Sequence, residues 1–179
     1  MIKLFRLLIT SFLTVLFFIS CNSSTEKKEN KKDPENINSK VDNSPRVTGI
    51  GGIFFLSVNP ETTTSWYKDN LGLVMDDYGS AFEFRNANRP NEINYLRWSI
   101  SNKEEYYKPS KKGFMINYRV QNIEAMVDNL KKNGVTVLDS ITTYPYGKFV
   151  HLLDPEGNKI ELWEPIDSFL TEMGGPTTK

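Results

Sequence analysis

The stretch that decides the fold is YPYGKFVHLLDPEGNKIELWEP, residues 144–165 of a 179-residue chain. Its centre, DPEGN, is typical of a turn, because Pro155 presets φ, Gly157 tolerates positive φ, and Asp and Asn side chains bond to their own backbone. The flanking residues, 149–153 and 159–163, are short runs rich in β-forming side chains. The stretch therefore predicts a β-hairpin.

The register of this hairpin would bring the only histidine of the chain beside a carboxylate. If the two strands pair directly across the turn, His151 faces Glu161 and Phe149 faces Trp163 on one side of the sheet. Three interpretations of the His151–Glu161 pair follow, in order of preference. It is a structural cross-strand pair that stabilises by about 0.2–1 kcal/mol, an acid–base pair in a cleft, or part of a metal site.

The N-terminal segment predicts a signal peptide over residues 1–20. Lys3 and Arg6 precede an apolar run, residues 7–18. That run would span roughly 18 Å as a helix, which is too short for a bilayer core of about 30 Å.

The end of that segment, FISC at residues 18–21, resembles a bacterial lipobox, in which the cysteine becomes the lipidated first residue of the mature protein. Cys21 is the only cysteine, so it has no partner for an intrachain disulfide. Residues 21–46 continue as a polar linker that cannot bury enough surface to fold. We therefore expect a lipid anchor that holds the protein in the cell envelope, on the periplasmic or outer-membrane face of a bacterial membrane.

The charge balance argues against nucleic acid as a partner. Lys and Arg number 22, Asp and Glu number 22, and the formal net charge is zero, whereas nucleic-acid-binding domains carry a basic excess. The chain also has no Gly-rich phosphate loop, no paired-cysteine zinc spacing and no serine nucleophile motif.

Residues 47–165 form one predicted domain with an internal duplication, whose modules span about 48–100 and 113–165. In each module a strand ends at an asparagine suited to N-capping, Asn59 or Asn122, and a helix follows. Three strand-like pieces then complete the order β-α-β-β-β, at residues 73–77, 81–85 and 93–99 and again at 135–142, 148–153 and 159–164. Residues 166–179 are a C-terminal tail with a short helix around Phe169. The predicted fold class is α+β.

These motifs are similar to those of the vicinal oxygen chelate superfamily, which includes glyoxalase I, bleomycin-resistance proteins and extradiol dioxygenases. The resemblance is carried by GKF, DPEGN and IEL in the hairpin, and by NP, WY and LGL between residues 59 and 73. It implies two βαβββ modules whose curved mixed sheets enclose a cleft, often in a homodimer.

The resemblance also implies four metal-ligand positions, one in the first strand and one in the last strand of each module. Glu161 falls on one of them, whereas the others fall at Gly52, at Met115 and near Trp98. Glycine offers no ligand, methionine sulfur is soft, and one carboxylate does not make a divalent metal site. This argues against a divalent metal cofactor. The alternative is a site of Glu161, His151 and a third ligand. That third ligand would be Glu83, Glu92 or Asn117.

Strand parity predicts the lining of the cleft, because alternate residues point to opposite faces. Asn117 and Arg119 would face it, and Arg119 could clamp an anionic group. Aromatic side chains would form its walls, as in most small-molecule sites. The predicted ligand-binding residues are Asn117, Arg119, Trp98, Phe149 and Trp163, and the predicted catalytic residues are His151 and Glu161.

The first functional hypothesis is a membrane-tethered domain of glyoxalase/bleomycin-resistance type that binds a small molecule. The alternatives are a metal-dependent lyase or isomerase of glyoxalase type that uses Glu161 and His151, and an interaction module whose cleft is closed by dimerisation.

Overall fold

The computed structural model describes residues 42–179. The predicted signal peptide, Cys21 and nearly all of the predicted linker lie outside these residues. Within residues 42–179, none of the helices combines the length and the apolar character needed to span a bilayer.

The secondary structure follows the predicted duplication, β-α-β-β-β twice, with one further helix at the end. The elements of the first half are β1 (Arg46–Leu56), α1 (Pro60–Leu71), β2 (Met75–Asp76), β3 (Gly79–Asn86) and β4 (Arg89–Ser101). Those of the second half are β5 (Phe114–Gln121), α2 (Ile123–Lys132), β6 (Thr142–Tyr144), β7 (Gly147–Leu153) and β8 (Lys159–Pro165), followed by α3 (Asp167–Met173). A 3₁₀ turn, Glu104–Tyr107, lies in the connector between the halves. The predicted α+β class is confirmed.

The strands form one curved, open, mixed sheet of eight strands in the order β2-β3-β4-β1-β5-β8-β7-β6. The halves meet where β1 pairs with β5 in antiparallel fashion. Within each half the first strand pairs in parallel with the last, β1 with β4 and β5 with β8. The four strands that the superfamily resemblance singled out therefore lie side by side at the centre of the sheet.

The two helices that follow β1 and β5 are capped as the sequence predicts. The side chain of Asn59 accepts a hydrogen bond from the backbone N of Thr62 at 3.0 Å, and that of Asn122 accepts one from Ala125 at 3.3 Å. Gly72 ends α1 in the left-handed conformation, with φ 69°. The asparagines that follow β1 and β5 thus begin the two helices.

The hydrophobic core lies mainly between α2 and the second half of the sheet. Ile123 and Val127 on α2 are buried against strand residues that share one face, namely Val120, Val150, Leu152 and Leu162. Alternate residues of these strands point to the opposite side, which we call the inner face and define by Asn117, Arg119, His151, Glu161 and Trp163. Packing of one face against α2 therefore fixes which side chains meet on the other.

The predicted strand over residues 135–142 is largely wrong. Only a short piece pairs with β7, where the backbone N of Leu138 donates to the carbonyl of His151 at 2.8 Å and that of Leu153 donates to Thr136 at 3.0 Å. The chain then leaves the ladder at Asp139, because the side chain of Asp139 accepts the hydrogen bond of the His151 backbone N at 2.8 Å.

The C-terminal tail is docked on the domain. The short helix expected around Phe169 is present as α3. Beyond it, the backbone N of Thr178 donates to the carbonyl of Ala81 at 2.8 Å, and its hydroxyl lies 2.8 Å from that of Ser80. The tail therefore connects the end of β8, in the second half, with β3 in the first half.

Candidate functional site

The hairpin has the register predicted from the sequence. His151 pairs with Glu161, and Phe149 pairs with Trp163, across the antiparallel β7–β8 ladder. Both pairs lie on the inner face. The only histidine of the chain therefore lies beside a buried carboxylate.

The rung of the sheet that contains Glu161 differs from the expectation. Glu161 pairs with Asn117, Asn117 pairs with Gly52, and Gly52 pairs with Arg97. Met115 is therefore not level with Glu161. In the antiparallel β1–β5 pair, Gly52 lies opposite Asn117, and Met115 lies opposite Phe54.

The carboxylate of Glu161 is held by three different segments. Its Oε1 accepts a hydrogen bond from Nδ2 of Asn117 at 2.8 Å, and its Oε2 accepts one from the hydroxyl of Tyr106 at 3.2 Å. Nε2 of His151 also lies 3.2 Å from Oε2. Glu161 is only 5% exposed, so these contacts replace water around a buried charge.

His151 is held between two carboxylates. Its Nδ1 lies 2.6 Å from Oδ2 of Asp139, and its Nε2 points inward to the Glu161 side. Burial lowers the pKa of His151, but Glu161 and then Asp139 more than offset this, and the pKa lies above its ordinary value. Asp139 was missed in the sequence, since it follows a strand piece whose pairing with β7 could not be assigned.

Tyr106 closes the cluster from the 3₁₀ turn of the connector. Burial and then the neighbouring Glu161 raise its pKa, so the hydroxyl keeps its proton and donates to the carboxylate. Its ring stands edge-on to the imidazole of His151 at 6.1 Å. We refer to Tyr106, Asn117, Asp139, His151 and Glu161 as the Glu161 cluster.

Arg119 forms a second polar cluster on the inner face, two residues beyond Asn117 on β5. Its side chain is fully buried and lies over the rings of Trp163, at 5.0 Å, and Phe84, at 5.6 Å. One guanidinium nitrogen donates to the carbonyl of Tyr95 at 2.9 Å, and another pairs with Oδ2 of Asp167 on α3. Burial lowers the pKa of Arg119, and Asp167 opposes that shift.

Asn94 belongs to the same group, since its Nδ2 donates to the same oxygen of Asp167 at 3.3 Å. We refer to Asn94, Arg119 and Asp167 as the Arg119 cluster. Asp167 and Asn94 were missed in the sequence, because one lies in the tail and the other in a strand with no recognisable motif.

The predicted aromatic wall is present in part. The rings of Phe149 and Trp163 stack at 5.7 Å, and Tyr146 lies 5.5 Å from Phe149. Trp98 is not part of this wall. It packs against Tyr67 of α1 at 4.4 Å, on the side of the sheet that carries the helix. The structure thus brings Asn117, Arg119, Phe149 and Trp163 together and places Trp98 elsewhere.

Both clusters contain buried polar atoms without a hydrogen-bond partner. Among residues 42–179 these atoms are Asn94 Oδ1, Asn117 Oδ1, Arg119 Nε, His151 Nε2 and Asp167 Oδ1. Nε2 of His151 is close to Glu161, but the approach lacks hydrogen-bond geometry. Since such atoms are costly unless something bonds to them, their concentration on the inner face marks it as the candidate ligand site.

The four positions that the superfamily resemblance implies do not supply a divalent metal site. On the rung of Glu161, Gly52 has no side chain, and Arg97 carries a positive charge. Of the three suggested third ligands, Glu83 accepts a hydrogen bond from Thr177 at 2.9 Å, and Glu92 pairs with Arg89 at 3.1 Å. Asn117 lies beside Glu161, but its amide nitrogen donates to that carboxylate at 2.8 Å. No group of three or more His, Cys, Asp or Glu side chains in residues 42–179 is placed to hold a metal ion.

Comparison with known proteins agrees with this architecture. Residues 49–162, more than half of the chain, match the family model of the Glyoxalase/Bleomycin resistance protein/Dioxygenase superfamily. No curated protein matches the sequence.

Solved structures share the fold at low sequence identity. A variant of Streptomyces coelicolor methylmalonyl-CoA epimerase, in complex with 2-nitronate-propionyl-CoA, has a TM-score of 0.50 and 15% identity, and the match covers 68% of this chain and 99% of that one. The Mycobacterium tuberculosis epimerase has a TM-score of 0.47 and 20% identity, over 68% and 91% of the two chains. At 15% identity the likeness to the Streptomyces coelicolor structure concerns the fold alone. The family match and the βαβββ duplication show that this chain belongs to the glyoxalase/bleomycin resistance/dioxygenase superfamily.

Proposed function

We propose that this domain binds a small polar molecule on the inner face of its sheet, at the Glu161 cluster. The observation that carries the proposal is the pair of unpartnered atoms in this cluster, Oδ1 of Asn117 and Nε2 of His151. One is an acceptor and the other a ring nitrogen, and both lie beside the same carboxylate. A ligand with a hydrogen-bond donor and a polar oxygen would satisfy them together.

The other polar atoms of these two side chains are already used within the cluster. Asn117 uses its amide nitrogen on Glu161, which leaves the carbonyl oxygen free. His151 uses Nδ1 on Asp139, and its Nε2 lies 3.2 Å from Oε2 of Glu161 without hydrogen-bond geometry. The neighbouring rings of Tyr106 and of the Phe149–Trp163 stack supply the apolar contact that small-molecule sites combine with a few polar groups.

The single histidine allows a direct test on the full-length chain in mild detergent. A library of small polar compounds is screened by thermal shift, and each compound that raises Tm is followed through the imidazole NMR signals of His151. We expect true ligands to move those signals, and to lose their effect in Asn117→Leu but not in Asn70→Leu, an exposed position on α1. Compounds that bind Asn117→Leu as well as wild type and leave His151 unmoved would contradict the proposal.

We further propose that lipidation of Cys21 holds this domain on a membrane of the cell envelope. The support is the sequence itself, in which FISC follows an apolar run and precedes a polar linker. A ligand-binding domain on such a tether would meet its ligand outside the cytoplasm.

Acid–base chemistry is the second candidate, and the Asp139–His151–Glu161 arrangement favours it. A carboxylate on Nδ1 orients an imidazole for proton transfer through Nε2, and lyases or isomerases move protons in this way. Abolition of turnover by both Glu161→Ala and His151→Gln would support an enzyme, and unchanged turnover would remove this candidate. Metal analysis of the purified chain distinguishes a metal-dependent from a metal-independent enzyme. The residues present predict no stoichiometric divalent ion, so a tightly bound ion would favour the metal-dependent enzyme.

An interaction module that dimerises is the third candidate. Two observations favour it. Tyr106 and α3 cover part of the inner face, and several apolar side chains are exposed. Those side chains include Val58, Trp66, Leu71 and Phe114. The mass of the full-length protein in solution tests it, because a monomer at working concentration would exclude a homodimer.

A further inference from the structure

The ion pair between Arg119 and Asp167 uses only part of each group. Asp167 receives both of its hydrogen bonds, from Arg119 and from Asn94, on the single oxygen Oδ2. Its Oδ1 has no partner, and neither has Nε of Arg119 or Oδ1 of Asn94. Arg119 and Asn94 are both fully buried, so water does not compensate for the missing bonds.

A free carboxylate could bond to Nε and a terminal nitrogen of Arg119 together, whereas Asp167 reaches only a terminal nitrogen. A guanidinium presents parallel N–H groups that match the two oxygens of a carboxylate in a forked pair, and its flat faces stack on aromatic rings. Arg119 already has the rings of Trp163 and Phe84 beside it. We propose that Arg119 and Asn94 form a carboxylate-binding site, and that Asp167 is the chain's own occupant, which leaves when the carboxylate of a small molecule binds.

The position of α3 is consistent with such an exchange. A surface groove of about 610 Å³, bounded by α3 on one side and the start of β4 on the other, reaches Asp167. None of the residues of α3 is buried. Gly174 and Gly175 follow the helix with φ 68° and 127°, and Thr178 is fixed to β3 beyond them. The glycine pair allows the C-terminal end of α3 to shift while Thr178 stays in place, and Asp167, at the start of the helix, would swing out about Ile166, which separates it from β8.

This inference rests on the proposed function, because it gives the ligand of the Glu161 cluster an acidic end. Asn117 and Arg119 point from β5 to the same face, two residues apart, which separates them by roughly 6.6 Å. One small molecule could therefore place a polar group beside Asn117 and a carboxylate on Arg119. The ligand class is a small carboxylic acid with a second polar group at about that distance.

The test measures hydrogen exchange of residues 167–173 in the full-length chain as acetate is added, with chloride at equal ionic strength as the reference. We expect acetate, but not chloride, to accelerate exchange of α3. In Asp167→Asn, which has lost the charged competitor, the half-maximal effect should occur at about tenfold lower acetate, equivalent to about 1.4 kcal/mol. Asp69→Asn, an exposed change on α1, should behave as wild type.

Unchanged or slower exchange of α3 in acetate, in wild type and in Asp167→Asn alike, would overturn the proposal. If Asp167→Asn does not fold, the wild-type acetate series alone decides. The two proposals are also separable. Suppose that acetate accelerates hydrogen exchange of α3, but no compound of the library moves the NMR signals of His151. This result supports the carboxylate site and removes the function proposed for the Glu161 cluster. If a compound moves the His151 signals and acetate has no effect on the exchange of α3, the function proposed for the Glu161 cluster is supported and the carboxylate site is removed.

Discussion

Nδ1 of His151 lies 2.6 Å from Oδ2 of Asp139, and this contact directs the other ring nitrogen towards Glu161. Asp139 is about half-exposed, whereas Glu161 is buried. The imidazole therefore links a carboxylate at the surface with one in the interior. This relationship sets the electrostatics of the site.

The pKa of His151 should be higher than that of a histidine in an unfolded chain, about 6.5. Burial lowers it, but the two carboxylates outweigh burial. An NMR titration of the single imidazole measures it directly. Asp139→Asn should lower the pKa of His151, since it removes one negative charge. The control is Asp77→Asn, an exposed position distant in sequence from His151, which should leave that pKa unchanged. Equal pKa values of His151 in Asp139→Asn and wild type would show that Asp139 does not raise this pKa.

The same shift predicts how stability depends on pH. Because the pKa is higher in the folded state, protonation of His151 stabilises the fold fully below the unfolded pKa, about 6.5, and this contribution is lost as pH rises through the folded value. The difference in unfolding free energy between wild type and His151→Gln should therefore be larger at about pH 5.5 than at about pH 8.5. Urea unfolding at the two pH values measures this difference. A difference that is larger at about pH 8.5 than at about pH 5.5 would contradict the prediction.

Replacement of Glu161 by alanine should destabilise the domain. It leaves the amide of Asn117 and the hydroxyl of Tyr106 without their acceptor, and a buried unsatisfied group costs about 1–3 kcal/mol. Chemical denaturation should show a loss in this range. Glu156→Ala, in the exposed turn of the hairpin, should change stability by no more than about 0.5 kcal/mol. Similar losses in both variants would mean that the contacts of Glu161 contribute little.

Gly51 is predicted to be intolerant of any side chain. A Cβ there would lie 2.2 Å from Oδ1 of Asn117 and 2.8 Å from the Trp163 ring, so both must move. Gly51→Ala should cost about 1–3 kcal/mol and weaken any ligand that depends on Asn117. Gly49→Ala is the matched control on the same strand, because its Cβ would meet only Arg119 at 3.8 Å, an ordinary contact. Equal stability of the two variants would show that Asn117 is not held as described.

Replacement of Cys21 by alanine should release the protein from the membrane or leave its precursor uncleaved. The reason is that the thiol is the attachment point for lipid in the proposed anchor. Fractionation of cells and the mass of the mature chain measure both outcomes. Cys21→Ala protein that stays in the membrane fraction with an unchanged mass would refute the anchor.

The sequence predicts the hairpin and its register because the turn chemistry and the alternation of side chains are local properties. It also predicts that Asn117 and Arg119 share a face, since parity within β5 decides this. Asp139, Tyr106 and Asp167 are not predictable in the same way. Each comes from a connector or tail, and its path depends on packing between segments that are distant in sequence. The misplacement of Trp98 has a similar cause, because the side of β4 it occupies depends on its pairing with β1.

The hydrogen bond between Thr178 and Ala81 has a consequence for self-association. β2 pairs with β3 only at Gly79 and Ser80, so the outer edge of β3 would be open from Ala81 onward. An open strand edge is a template for another chain, and Thr178 occupies its first position. The end of the tail thus occupies a position at which a second chain could otherwise pair, and we expect a tag fused directly to Lys179 to disturb this contact.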